Sequence, residues 1–106
     1  MLKHVETVQE FTDLINSGKL AVIDFYADWC GPCRMLGPVI EEFASEQDES
    51  KVVVAKVNVD DLEEIVAKYG IFSIPTILFF KDGEIKEKLT GYRPKEHLSK
   101  VVQKLL

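Results

Sequence analysis

The sequence is poor in cysteine, histidine and tryptophan, with two, two and one of these residues among its 106. Two cysteines are too few for a disulfide-rich secreted scaffold. No apolar signal-peptide core follows the first residues, and no apolar run approaches the length of a transmembrane helix. We therefore expect a cytoplasmic protein without a membrane partner, and the question is why its only two cysteines lie three positions apart.

Positive charge is also scarce, because 13 Lys and Arg stand against 18 Asp and Glu and the net charge is −5. Nucleic acids and anionic membranes both attract basic surfaces. The composition therefore argues against nucleic acid as a partner and equally against an anionic bilayer.

Apolar runs alternate with segments of helical periodicity along residues 1–106, which predicts a single domain. Strands are predicted at residues 2–5, 20–27, 51–59, 76–80 and 84–90; helices are predicted after the capping residue Thr7, at 33–49, at 62–69 and from Pro94 onward. Val8 is expected on the buried face of the first helix, and Asp60 and Asp61 in the first turn of the third. This order predicts an α/β fold with parallel strands, right-handed crossovers and an antiparallel hairpin.

The two cysteines belong to the segment Trp29-Cys30-Gly31-Pro32-Cys33, directly after an apolar strand and at a predicted helix start. Pro32 suits a first helical turn. Free backbone N–H groups and the helix dipole stabilise a thiolate at Cys30, whereas Cys33, one turn further in, is predicted to be shielded and more often protonated. The spacing predicts that Cys30 attacks a disulfide and Cys33 resolves the product.

Other interpretations of the cysteine pair remain open at this point. A zinc site needs about four ligands, and the sequence adds only the distant His4 and His97. A structural disulfide over so short a loop would contribute about 1.9 kcal/mol, against about 3 kcal/mol for a loop of about 15 residues. Two unreactive buried thiols are the remaining alternative.

Matches at consistent spacing along essentially the whole chain make this sequence resemble the thioredoxin family. The matching residues are Asp24, Phe25, Ala27, Trp29 to Cys33, Pro38, Lys56, Tyr69 to Ile71, Ile74 to Thr76, Lys81 to Gly83 and Gly91. The resemblance implies the thioredoxin fold, a central mixed five-stranded sheet flanked by four helices. It also implies a redox-active disulfide between Cys30 and Cys33 in a thiol–disulfide oxidoreductase that reduces protein disulfides as a general cytosolic electron donor.

Asp24 and Lys56 interrupt otherwise apolar strands. Burial of a carboxylate is unfavourable, so the pKa of Asp24 is expected to rise toward neutrality. With the resemblance, we expect Asp24 to take the proton of Cys33, directly or through water; the alternative is a hydrogen-bonded structural carboxylate. The resemblance places Lys56 near Asp24 as a modulator of that pKa, and the alternative is a lysine that extends to solvent at a strand end.

Gly31 and Pro32 modulate the direction of the reaction. They place no basic or polar side chain between the cysteines, and such side chains would stabilise the thiolate and make the protein a stronger oxidant. This favours a reductant; an isomerase or oxidase of the same fold is the alternative. A non-catalytic, chaperone-like binding subunit is a further alternative.

The resemblance also implies a substrate-binding surface around a cis proline, although sequence alone favours a trans peptide bond before Pro75. Ile74 would offer its backbone to an extended substrate, Gly91 would leave room, and Trp29 would cover the cysteines. Tyr26 stands where many members have Trp, and Ser73 and Tyr92 are larger than in many relatives. The predicted surface comprises Trp29, Gly31, Pro32, Ile74, Pro75 and Gly91.

The resemblance further implies partners but no bound cofactor or metal. Electrons would come from NADPH through a flavoprotein thioredoxin reductase, or through a ferredoxin-linked reductase. The other partners would be proteins that contain disulfides, and we expect the chain to act as a monomer.

Overall fold

The computed structural model describes residues 1–106 and contains five strands and four helices in the predicted order. The strands are β1 (Leu2–Val5), β2 (Leu20–Tyr26), β3 (Val52–Asn58), β4 (Thr76–Lys81) and β5 (Glu84–Thr90). The helices are α1 (Val8–Ile15), α2 (Gly31–Ser45), α3 (Glu63–Tyr69) and α4 (Lys95–Leu105). None of these helices combines the length and apolar character needed to cross a bilayer.

The strands form one mixed sheet in the order β1-β3-β2-β4-β5. Strands β1, β3 and β2 are parallel, whereas β4 is antiparallel to β2 and β5 is antiparallel to β4. The α/β prediction of parallel strands plus a hairpin is therefore confirmed, as is the five-stranded sheet with four helices. Lys86 and Lys88 lie on the edge strand β5, where lysines discourage pairing with another chain.

Strand β2 is the centre of the molecule, since every residue from Leu20 to Phe25 is buried. Alternate side chains of a strand point to opposite faces of the sheet. Ile23 packs into a core with α1 and α3, and Val22 packs into a second core with α2 and α4. Asp24 shares the face of Val22, so its carboxyl group lies on the side of the sheet that α2 covers.

Helix α2 differs from its predicted bounds at both ends, because it begins at Gly31 and ends at Ser45. Cys30 is its N-cap, which moves both residues between the cysteines into the first turn. The helix stops early because Asp48 accepts the backbone N–H of Ser50 and forms a turn that leads into β3. The other predicted bounds agree with the structure to within about two residues.

Two further positional predictions are wrong. Val8 is exposed, because it lines a shallow cleft between α1 and α3 that leaves its side chain uncovered. Asp60 and Asp61 precede α3, because the Asn58 side chain accepts the backbone N–H of Asp60 and holds the segment in a turn.

Candidate active site

Cys30 and Cys33 form a disulfide at the N-terminus of α2, with their Cα atoms 5.2 Å apart. Cys33 is shielded as predicted, with 4% of its surface exposed, but Cys30 is only 6% exposed. Burial therefore does not distinguish the two cysteines in the oxidised protein. Gly31 and Pro32 between them are exposed, so the buried disulfide lies directly beneath the surface at this point.

Hydrogen bonding does distinguish the cysteines. The backbone N–H of Cys33 donates to Sγ of Cys30 at 3.2 Å. Cys30 is the N-cap of α2 and Pro32 lies in its first turn, so the Cys30 sulfur faces the positive end of the helix dipole. This environment stabilises a negative charge on the Cys30 sulfur once the disulfide is reduced.

The peptide bond between Ile74 and Pro75 is cis, as the resemblance implies. The Ile74 carbonyl oxygen lies 3.8 Å from Sγ of Cys30, so the fold brings together residues 44 positions apart. Gly91 donates its N–H to the Pro75 carbonyl at 2.8 Å, and Thr76 Oγ1 donates to the Ser73 carbonyl at 2.6 Å. These bonds hold the proline loop beside the disulfide.

Exposure differs among the residues of the predicted substrate-binding surface. Trp29, Gly31 and Pro32 are exposed, and Ile74 and Gly91 are partly buried. The ring of Pro75 is itself buried. Tyr26, Val59 and Ile74 are partly buried apolar side chains that pack against the cluster of the two cysteines and Ala27.

Asp24 is buried, as predicted, with 1% of its surface exposed. Neither carboxylate oxygen has a hydrogen-bond partner. Burial raises the pKa of Asp24 from 3.8 to about 7, and the positive charge of Lys56 limits the rise. A carboxyl group with this pKa can exchange a proton near neutral pH.

Lys56 is the register partner of Asp24 on the neighbouring strand β3. Its side chain lines a cleft of about 340 Å³ together with Cys33 and Arg34. The cleft lies beneath the start of α2, so it joins the buried side of Cys33 to the surface. Lys56 therefore connects Asp24, its partner across the strands, with the cleft that Cys33 lines.

Trp29 is 69% exposed, and its indole N–H donates to Oδ2 of Asp60 at 2.9 Å. The Trp29 side chain is therefore oriented by the turn between β3 and α3. Phe72, two residues before Ile74, is 97% exposed and adds an apolar ring to the proline loop. Tyr92, just after Gly91, is also exposed.

Asp60 and Phe72 are parts of this site that the sequence interpretation does not assign to it. In the sequence Asp60 is an ordinary acidic residue near a predicted helix start, and only the fold places it in contact with Trp29. Phe72 carries a stronger local signal, since it is a large apolar residue in a loop immediately before Ser73 and Ile74, but only the structure shows that its ring is exposed. The structure gathers no cluster of His, Cys, Asp and Glu suited to a metal ion.

Comparisons with known proteins match most of the chain to thioredoxins. The family model described as Thioredoxin matches residues 3–104. A thioredoxin of Mycoplasmoides gallisepticum is 43% identical over 102 residues, which cover 96% of this chain and 100% of that protein. A thioredoxin of Alicyclobacillus acidocaldarius is 50% identical over 92 residues, which cover 87% of each chain. The solved thioredoxin of Malassezia sympodialis has a TM-score of 0.90 at 33% identity, covering 98% of this chain and 90% of that one.

Proposed function

Because this chain belongs to the thioredoxin family and is a thiol–disulfide oxidoreductase that reduces protein disulfides, we propose that Cys30 is its attacking thiolate and Cys33 its resolving thiol. The observation that carries this assignment is the hydrogen bond from the Cys33 N–H to Cys30 Sγ at the start of α2. No equivalent backbone donor serves the Cys33 sulfur. The helix therefore favours ionisation of Cys30 over that of Cys33.

The reaction begins when the Cys30 thiolate attacks one sulfur of a substrate disulfide. A bond forms between Cys30 and that sulfur, the substrate disulfide breaks, and its other sulfur leaves as a thiolate. The Cys33 sulfur then attacks Cys30, the Cys30–Cys33 disulfide forms, and the second substrate sulfur leaves. Two electrons pass from the dithiol to the substrate, which is reduced while the protein is oxidised.

Asp24 accepts the proton of Cys33 in the second step. Its pKa of about 7 and its lack of hydrogen-bond partners support this role, because no other contact commits the carboxylate. Lys56 modulates the step by favouring the ionised form of Asp24. Lys56, which is paired with Asp24 across the strands, lines a cleft together with Cys33, and this placement supports transfer of the proton through water.

The substrate binds across the disulfide as an extended segment. The Ile74 backbone beside Cys30 supports strand-like pairing with such a segment. Trp29, Gly31, Pro32, Pro75 and Gly91 complete the contact surface, with Ser73, Tyr92 and Phe72 at its margin.

The oxidised protein returns to the dithiol state by reaction with a reductase. Family membership supports a flavoprotein thioredoxin reductase supplied by NADPH, or a ferredoxin-linked reductase, as that partner. We further propose that the chain works in the cytoplasm as a monomer, with no metal or resident cofactor of its own. The isomerase, oxidase and non-catalytic alternatives are not favoured, since the matched relatives are thioredoxins.

A trapping experiment tests the roles of the cysteines. The Cys33→Ser variant is expected to accumulate a mixed disulfide with a protein substrate, because its Cys30 can attack but nothing resolves the product. Cys30→Ser is the matched control and is expected to trap none. Equal trapping by both variants, measured by non-reducing electrophoresis and mass spectrometry, would contradict the assignment.

A second experiment measures the reduction potential of the Cys30–Cys33 pair, which decides the direction of electron flow. Equilibration with a glutathione redox couple is expected to give a reduction potential below that of glutathione, since Gly31 and Pro32 add no polar side chain that stabilises the reduced state. About 30 mV corresponds to about 1.4 kcal/mol for this two-electron pair, so a modest precision separates a reductant from an oxidant. A potential above that of glutathione would favour the oxidase alternative.

A further inference from the structure

The ammonium group of Lys56 lies over the aromatic face of Tyr26, with Nζ 4.1 Å from the ring centroid. This is within the distance at which a cation is attracted to the negative face of an aromatic ring. Lys56 forms none of the ion pairs of the molecule. The Tyr26 ring is therefore a close, identifiable partner of this charge.

The two strands explain the contact. Asp24 and Tyr26 are alternate residues of β2 and project to the same face of the sheet. Lys56 is paired in register with Asp24 on β3, and Asn58 is paired with Tyr26. Lys56 thus stands beside both β2 residues, under the start of α2, and Tyr26 and Lys56 line the same cleft as Cys33.

We propose that Tyr26 is a positioning residue for Lys56, whose ammonium group its ring holds in the cleft beside Cys33 and next to Asp24. The inference rests on the proposed function, because it concerns the proton transfer from Cys33 to Asp24. Tyr26 packs against the cluster of the two cysteines and Ala27, but in this role it takes part in no bond formation or proton transfer. It acts through Lys56, which in turn sets how readily Asp24 ionises.

Other charged and titratable groups surround the cleft, and the carboxylates among them compete with the Tyr26 ring for Lys56. Asp28 and Arg34 line the same cleft, and His4 and Glu41 line an adjoining cleft of about 240 Å³ to which Lys56 also contributes. A lysine side chain is long and flexible. Without the ring, the ammonium group is free to turn toward Asp28 or Glu41 and away from Asp24.

The Tyr26 hydroxyl has separate surroundings. Burial, followed by the charges of Asp28, Asp61 and Asp24, raises the pKa of Tyr26, and a hydrogen bond from the Asn58 side chain opposes that rise. The phenol is therefore neutral at physiological pH. The ring face, and not the hydroxyl, is the part that contacts the Lys56 ammonium, which makes phenylalanine a conservative replacement.

The experiment is a pH titration of the Asp24 carboxyl carbon by NMR in the oxidised full-length protein. Tyr26→Leu is expected to raise the Asp24 pKa by about 0.5, roughly a threefold change in the ratio of protonated to ionised carboxyl at a given pH. Tyr26→Phe keeps the ring and is expected to leave the Asp24 pKa at its wild-type value. Lys56→Gln is expected to raise the Asp24 pKa by more than Tyr26→Leu, since it removes the charge itself.

The double variant Tyr26→Leu with Lys56→Gln separates positioning from a general structural effect. If Tyr26 acts through Lys56, the double variant has the same Asp24 pKa as Lys56→Gln alone. Additive changes, or a Tyr26→Leu pKa equal to that of the wild type, would overturn the inference. Backbone NMR shifts and the unfolding midpoint show whether each variant keeps the native fold. If Tyr26→Leu does not fold, Tyr26→Met, which also removes the ring, takes its place with the same expected rise in the Asp24 pKa.

The outcome is independent of the roles of the cysteines. If the proposed function fails, trapping by Cys33→Ser and Cys30→Ser will not differ. If only the positioning role fails, that difference in trapping persists, and the pKa of Asp24 is the same with and without the Tyr26 ring.

Discussion

Asp24 and Lys56 stand opposite each other on parallel strands β2 and β3, yet neither carboxylate oxygen of Asp24 has a hydrogen-bond partner. The charge of Lys56 offsets only part of the unfavourable burial, so the pKa of Asp24 stays near 7. In the proposed mechanism, the same pair connects the stability of the fold with the chemistry of the cysteines.

The first prediction concerns stability and pH. Because the folded pKa of Asp24 lies above its usual 3.8, the folded state binds more protons than the unfolded state between about pH 4 and 7. Stability therefore falls as pH rises through that window, by up to about 4 kcal/mol. Asp24→Asn is expected to match the wild type near pH 3 and to exceed it in unfolding free energy near pH 8.

Urea denaturation of the oxidised proteins across this pH range measures the difference. Asp28→Asn is the matched control, since it makes the same replacement at a carboxylate that is exposed at the surface. A difference between Asp24→Asn and the wild type that stays constant from pH 3 to 8 would show that Asp24 ionises normally in the folded state.

The second prediction concerns the resolving step. An amide at position 24 cannot accept the Cys33 proton, so Asp24→Asn is expected to slow release of the reduced substrate from the mixed disulfide by roughly 10²-fold near pH 7. The attack by Cys30 is expected to keep its rate. Rapid-mixing measurement of each step against pH checks this, and an unchanged second step at every pH would exclude Asp24 as the proton acceptor.

The third prediction uses the single tryptophan of the chain as a probe. Asp60→Ala removes the acceptor of the Trp29 indole N–H, which frees an exposed ring. We expect lower fluorescence anisotropy and a several-fold higher KM for a protein disulfide, with a smaller effect on a low-molecular-weight disulfide. Asp61→Ala is the matched control, because Asp61 is an exposed neighbour that does not bind Trp29. Equal effects of both variants would show that the loss of negative charge in this turn, and not the loss of the Trp29 hydrogen bond, is responsible.

The fourth prediction concerns Phe72. Its ring is almost wholly exposed, so Phe72→Ser is expected to leave the unfolding free energy within about 0.5 kcal/mol of the wild type. If the ring contacts substrates, KM for a protein disulfide rises while the rate with a small disulfide is unchanged. Phe72→Leu keeps an apolar side chain and is expected to restore most of the affinity; a KM unaffected in both variants would remove Phe72 from the contact surface.

Much of the fold could be predicted from local pattern. The apolar run of β2, the lysines of β5 and the cysteine segment after β2 all lie where the sequence indicates, because burial and helix initiation depend on neighbouring residues. The end of α2 at Ser45 was harder to predict, since the Asp48 turn that leads into β3 interrupts a sequence compatible with a longer helix.

Contacts between residues far apart in the sequence could not be predicted from local pattern. The cis bond before Pro75 followed from the resemblance and not from the residues themselves, which favour trans. Asp60 reached Trp29, and the Tyr26 ring reached Lys56, through turns and register that no local pattern specifies.

By itself the sequence determined the helices and strands and the chemical properties of single residues. Examples are a cysteine at a helix start and a carboxylate in a strand too apolar to solvate it. The tertiary structure decided which of these residues meet. Placing β3 next to β2 set Lys56 beside Asp24, and placing β4 on the other side brought the proline loop to Cys30. Strand order and register depend on the packing of both sheet faces at once, which is a property of the whole chain and not of any segment.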